Sequence, residues 1–175
     1  NFILMSGDTF NDFDLPRMII KHFDSEKIAT MGLINKEKIS DHGVVLLDGT
    51  LVIDFEEKPK KPKCIPGRPD MALVSMGNYL FKADILVDVV MDDAKDKSSV
   101  HDFGKNIIPA LYPHARVYVY DFLKNKIYMP EEDRYEKPYW RDVGTIKSYF
   151  DAQMDLVSVS PSINLYNRKW PIFGF

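Results

Sequence analysis

Phe2-Ile3-Leu4-Met5-Ser6-Gly7-Asp8 opens the chain with four apolar residues, a serine-glycine turn and a carboxylate. An unbroken apolar run that ends on a turn signal reads as a buried central strand of an α/β sheet. Asp8 then falls at the carboxyl end of that strand, where open α/β sheets place their ligands. Outward from this stretch, Asn11 to Asp14 offers N-cap candidates for a helix ending near His22, with Pro16 tolerated in its first turn. Lys27 to Ile34 reads as a strand. Gly43 to Leu47 and Leu51 to Phe55 flank Asp48-Gly49, a hairpin signal because both turn residues tolerate positive φ. A Pro/Lys-rich loop, Lys58 to Arg68, precedes another strand at Met71 to Phe81. Helical spacing then puts Ile85, Leu86, Val89 and Val90 on one face, and Phe103, Ile107, Ile108 and Leu111 on a second. A third face carries Ile146, Tyr149, Phe150, Met154 and Val157. Val117 to Tyr120 lies between the last two helices as a strand. Strands alternating with helices predict an α/β fold with a mixed, mostly parallel sheet and one antiparallel hairpin.

The 175 residues make about one domain. With 45% apolar and 13% aromatic residues the chain buries a core, which excludes global disorder. A net charge of −3 argues against a nucleic-acid or anionic-membrane binder. Cys64 is the single cysteine, which excludes an internal disulfide and favours a reducing compartment. No apolar stretch approaches the roughly 20 residues of a membrane span, and no signal peptide is visible, so we expect a cytoplasmic protein. A start inside a core strand leads us to expect further sequence upstream. The apolar tail from Leu165 to Phe175 needs something to cover it.

Three places carry chemistry. Asp8 follows a strand and a glycine; its plainer reading is a loop cap. Asp142, in Tyr139-Trp140-Arg141-Asp142-Val143-Gly144-Thr145, precedes a periodic helix for which Thr145 is the N-cap; it too is readable as part of the cap. Both aspartates follow apolar or aromatic segments and precede helices. We therefore expect them on one carboxyl edge of the sheet, from where they could converge on one Mg²⁺, an ion that takes carboxylates and substrate phosphates, although spacing alone does not pair them. Lys58, in Phe55-Glu56-Glu57-Lys58-Pro59, is a point charge suited to a phosphate, against the commoner reading of a solvated charged face. His22, His42, His101 and His114 show no zinc spacing, and Lys58, Lys60, Lys61 and Lys63 read as a solvated loop. No G-x-G-x-x-G or Walker-type loop occurs in the chain.

Taken in order, these motifs resemble the ADP-glucose pyrophosphorylases (glucose-1-phosphate adenylyltransferases), a branch of the sugar-nucleotide pyrophosphorylase family. The resemblance rests on Ser6 to Asp8, His42 to Val44, Asp54 to Pro59, Ser75 to Phe81, His101 to Pro109, Tyr139 to Thr145 and Asn164 to Ile172. It implies the C-terminal part of a Rossmann-like nucleotidyltransferase domain over residues 1–157. Residues 158–175 would then be a linker towards a β-helix beyond this chain, with a glycine-rich nucleotide loop upstream of it.

The resemblance further implies that Asp8 and Asp142 bind the catalytic Mg²⁺. Lys58 and Glu57 would contact glucose 1-phosphate, with Gly43 and Ser75 lining that site and Asp102 and Trp140 beside the sugar. Implied substrates are ATP and glucose 1-phosphate, in a homo-oligomer of tetrameric type serving glycogen or starch synthesis. Two alternatives stand beside it: a non-catalytic sugar-phosphate-binding subunit, or a related enzyme with another nucleotide. Asn78 and His42 depart from the usual motif residues.

Overall fold

Two units emerge from the contacts in a computed structural model, which describes residues 1–23, 29–36, 42–114, 116–130 and 133–171. The first comprises Asn1–Met5 and Pro16–Asp121, the second Ser6–Leu15 and Phe122–Phe175. In chain order the strands are β1 (Phe2–Leu4), β2 (Thr9–Asn11), β3 (Ala29–Lys36), β4 (Gly43–Asp48), β5 (Leu51–Glu57) and β6 (Ala72–Phe81). They continue as β7 (Val117–Asp121), β8 (Tyr128–Met129), β9 (Arg134–Tyr135) and β10 (Trp140–Asp142). The α-helices are α1 (Leu15–Phe23), α2 (Ala83–Asp93), α3 (Ile108–Leu111) and α4 (Ile146–Leu156), and a π-helical turn over Phe103–Ile107 leads into α3.

In the first unit the β-strands follow the order β1-β6-β3-β7-β5-β4, and β4 pairs again with β6, so the sheet curls back on itself. The sheet is mixed, as read from the sequence, but the expectation of a mostly parallel one is overturned. Among the described strands only β3 and β7 run parallel; β6 is antiparallel to β1, β3 and β4. A parallel pair needs a long crossover, and the stretch from β3 to β7 supplies one. The β4–β5 hairpin needs only a short turn. That turn is one residue later than the spacing suggested, because Asp48 pairs with Leu51 and Gly49 takes φ +59°.

Side chains at the expected helical spacing cover the core. Phe81, Ile107, Ile108, Leu111 and Val117 are buried together with Met31, Val45 and Phe55, and Ile85, Leu86 and Val89 pack against them. Two apolar expectations fail. Strand β1 forms but among the described residues pairs only with β6, leaving Phe2 at 50% and Ile3 at 45% exposure, so it is no buried central strand here. Helix α4 forms with Thr145 as N-cap and a reciprocal bond to Ser148, yet Ile146, Tyr149, Phe150, Met154 and Val157 are exposed and Ala152 is the residue it buries. Periodicity says which side chains share a face. It does not say what that face meets.

The second unit is held by ladders and buried polar links. β2 pairs antiparallel with β10, and β8 with β9. Buried Asp12 accepts the Tyr139 amide at 2.9 Å, and the Asn125 side chain donates to the Asp12 carbonyl at 2.8 Å. Phe13 stacks on Phe122 at 5.6 Å. Residues 158–171, expected from the sequence to be a linker, are tied in here. The Asn164 amide donates to Glu136 at 3.2 Å, and buried Asn167 donates to the Tyr128 carbonyl at 2.9 Å. Residues 172–175, and with them Ile172 of the last motif, lie outside the described residues, as do Lys27 and Ile28 of the expected strand. Among the described residues no helix is long and apolar enough to cross a membrane.

Candidate active site

At the open end of the β4–β5 hairpin, Gly43 pairs with Glu57, and the Lys58 amide donates to the His42 carbonyl at 3.2 Å. Lys58 has φ +47°, a left-handed conformation that lysine seldom takes and that a following proline disfavours further. Such a backbone is held by its surroundings, and it turns an exposed lysine away from the strand direction.

Beside it, the half-buried Glu57 carboxylate occupies space that only glycines leave free. A Cβ on Gly104 would overlap Glu57 Oε2, and one on Gly43 would come within 2.8 Å of it and 2.5 Å of the Phe55 ring. Burial pushes the Glu57 carboxyl above its usual range; Lys58 pulls it down, Asp102 pushes it up and Lys105 pulls it down again. Buried Ser75 shares a hydrogen bond of 2.9 Å with Tyr79, and its Oγ accepts the Gly77 amide at 3.2 Å. Burial drives the Tyr79 phenol up to about 12, opposed by the Ser75 bond and aided by the charges of Glu57 and Asp102. Asp102 starts the π-helical turn, its Oδ1 accepting the Lys105 amide at 2.8 Å. The first unit thus gathers Gly43, Glu57, Lys58, Ser75 and Asp102. Tyr79, Gly104 and Lys105 join them and were not singled out in the sequence. The signal for Gly104 was a glycine inside an otherwise periodic apolar segment.

Asp8, Asp142 and Trp140 belong to the second unit. The expectation of one shared sheet edge is corrected, because β10 lies in its own two-stranded ladder with β2. That ladder sets Asp142 opposite Thr9, and the Val143 amide donates to the Asp8 carbonyl at 2.9 Å. The carboxylates meet beside Gly144. A Cβ there would be 3.0 Å from Asp142 Oδ1 and 3.5 Å from Asp8 Oδ2, so the two oxygens are no farther apart than those distances laid end to end. Asp8 Oδ1 accepts the Ser6 hydroxyl at 2.5 Å and Asp142 Oδ1 accepts the Gly144 amide at 2.7 Å. Arg141 binds Asp155 at 2.7 Å, and the Tyr139 hydroxyl donates to the same carboxylate at 2.8 Å, fastening β10 to α4 on either side of Trp140. Among the described residues no group of three or more His, Cys, Asp or Glu gathers as a metal cage.

The sequence profile of the nucleotidyl transferase family matches residues 1–159. The chain belongs to that family. Its relatives include glucose-1-phosphate adenylyltransferase 1 of Vibrio cholerae, 44% identical over 175 residues, and the glucose-1-phosphate adenylyltransferase of Anaeromyxobacter sp. strain Fw109-5, 45% identical over 174. The enzyme of that name from Thermus thermophilus is 42% identical over 173 residues. These alignments take in 97–98% of this nucleotidyl transferase chain and 41–42% of each relative. The chain therefore spans about two-fifths of the length of the curated relatives it matches.

Proposed function

We propose that this chain is part of a glucose-1-phosphate adenylyltransferase, forming ADP-glucose and pyrophosphate from ATP and α-D-glucose 1-phosphate. The observation that carries the reading is an identity of 42–45% sustained over 97–98% of the chain to enzymes of that name. The residue groups around Glu57 and around Asp8 and Asp142 support it. In the reaction a phosphate oxygen of the sugar phosphate attacks the α-phosphorus of ATP. The bond from that phosphorus to the bridging oxygen breaks, and pyrophosphate departs with the electron pair.

Such transfers rely on positioning and charge neutralisation, with no covalent help from the protein. Lys58 supplies a fixed positive charge for the sugar phosphate. Glu57, lodged between Gly43 and Gly104, would accept hydrogen bonds from sugar hydroxyls, and Ser75 and Asp102 would extend the polar lining. Asp8 and Asp142 would hold Mg²⁺. Two carboxylates with open coordination positions suit an ion that keeps several waters and takes substrate phosphates. When bound, the ion shields the α-phosphate charge. By the same reading the enzyme works in the cytoplasm as a homo-oligomer of tetrameric type.

The test is to supply the complete protein with glucose 1-phosphate and each of ATP, GTP, UTP and dTTP, and to identify the sugar nucleotide formed. ADP-glucose as the dominant product is expected. A different dominant product, or none, contradicts the reading. Size-exclusion chromatography with light scattering checks the tetramer.

A further inference from the structure

His101 is one of three residues other than glycine with positive φ among the described residues, at +57°. It stands immediately before Asp102, and three short hydrogen bonds close around it. Asp93, the last residue of α2, accepts the Ser99 hydroxyl on Oδ1 at 2.6 Å and meets His101 Nδ1 on Oδ2 at 2.7 Å. Ser99 Oγ in turn accepts the His101 amide at 3.0 Å. The ring ties the loop after α2 back to the helix and fixes the backbone at His101.

The path of the next five residues depends on that direction. Asp102 accepts the Lys105 amide on its side chain at 2.8 Å and the Asn106 amide on its carbonyl at 2.8 Å, while the Asn106 side chain accepts the Asp102 amide at 3.2 Å. This arrangement starts the π-helical turn that presses Gly104 against Glu57. A rotation at His101 would therefore carry Asp102 and Gly104 together, and with them the space open to Glu57. The Ser99 and His101 hydrogen bonds also hold the Asp93 carboxyl below its usual range, as bonds made to the charged form do.

Resting on the adenylyltransferase reading, we infer that Asp93, Ser99 and His101 are positioning residues, a brace that sets Asp102 and the Gly104 turn for glucose 1-phosphate without touching it. The brace acts on the sugar-phosphate side alone. A loop that merely terminated α2 would affect stability or both substrates alike.

The test uses the complete protein with Asp93→Ala and, separately, His101→Gly. Glycine accepts φ near +57° without strain, so His101→Gly removes the imidazole while leaving the backbone path open. Calorimetry gives the Kd for glucose 1-phosphate, and steady-state kinetics give KM for each substrate. His101→Gly removes one bond to the Asp93 carboxylate and should weaken glucose 1-phosphate about tenfold; Asp93→Ala removes two and should weaken it at least as much, with KM for ATP within about twofold of the parent in both variants. Parental affinity for glucose 1-phosphate in the variants overturns the brace, and so does an equal loss for ATP. If the unsubstituted protein does not bind glucose 1-phosphate at all, the functional reading falls and the brace with it.

Discussion

The surroundings of Glu57 and those of Asp8 and Asp142 solve opposite problems. Glu57 is half-buried, lodged against Gly43 and Gly104, and its carboxyl is driven up by burial. Asp8 is exposed and Asp142 partly so, and they meet beside Gly144, which brings no side chain of its own. One arrangement is built by excluding volume, the other by leaving room. On the proposed reading the first arrangement takes a sugar carrying one phosphate, which calls for shape and a single point charge. The second would take a divalent cation and its waters between two carboxylates. The open pair should therefore act on kcat and the enclosed group on the KM for the sugar phosphate.

The largest effect should come from the open pair. Asp8→Asn or Asp142→Asn in the complete protein should lower kcat about 10²- to 10³-fold, as removal of a preorganised transition-state contact does. Melting temperature should barely move, since Asp8 is exposed and Asp142 partly so. A matching loss in thermal stability would blur the comparison. Lys58→Ala should instead raise KM for glucose 1-phosphate about 10- to 150-fold, the equivalent of roughly 1.5–3 kcal/mol for a charge-assisted contact, and leave kcat nearly unchanged. An unchanged KM would return Lys58 to a solvated loop, where Lys63, paired with Asp54, already belongs.

A third prediction concerns stability. Burial pushes the Asp12 carboxyl up from 3.8 to about 6, with the Tyr139 amide opposing and Glu136 adding, and its Oδ2 has no hydrogen-bond partner. A folded-state pKa above the unfolded value means that the folded protein favours the protonated form. Stability is therefore lost as pH rises from about 4 to about 6. Asp12→Asn removes that loss while keeping an oxygen for the Tyr139 amide. It should stabilise the protein by up to about 3 kcal/mol at pH 7.5 and by nearly nothing below about pH 4, read from urea unfolding. Destabilisation at pH 7.5 would show that the charge is compensated. The smallest effect is Gly104→Ala. The added methyl must displace the flexible end of Glu57, so KM for glucose 1-phosphate should rise about 3- to 10-fold with little change for ATP.

Local chemistry was legible in the sequence where a residue's own neighbours decide its conformation. The Asp48-Gly49 turn, the Thr145 cap and the strand from Val117 appear as read, within a residue. Pairing direction was not legible, because the partner of β6 is written elsewhere in the chain. The exposure of Phe2, Ile3 and the apolar side of α4 was hidden for the same reason. Within the site, Glu57 and Lys58 stood out by charge and proline, but the left-handed backbone of Lys58 has no signature in Glu-Lys-Pro. Gly104 and Tyr79 become meaningful only beside Glu57 and Ser75. Asp8 and Asp142 come near each other through the β2–β10 ladder, a pairing of two distant segments that neither segment announces by itself.

Whether Asp8 and Asp142 act as one unit is tested most directly by a double-mutant cycle on kcat in the complete protein. If both hold the same cation, Asp8→Asn,Asp142→Asn should be little slower than the worse single variant, because the first substitution already removes most of what the pair supplies. If the two losses multiply, the carboxylates act independently and the shared cation site is wrong.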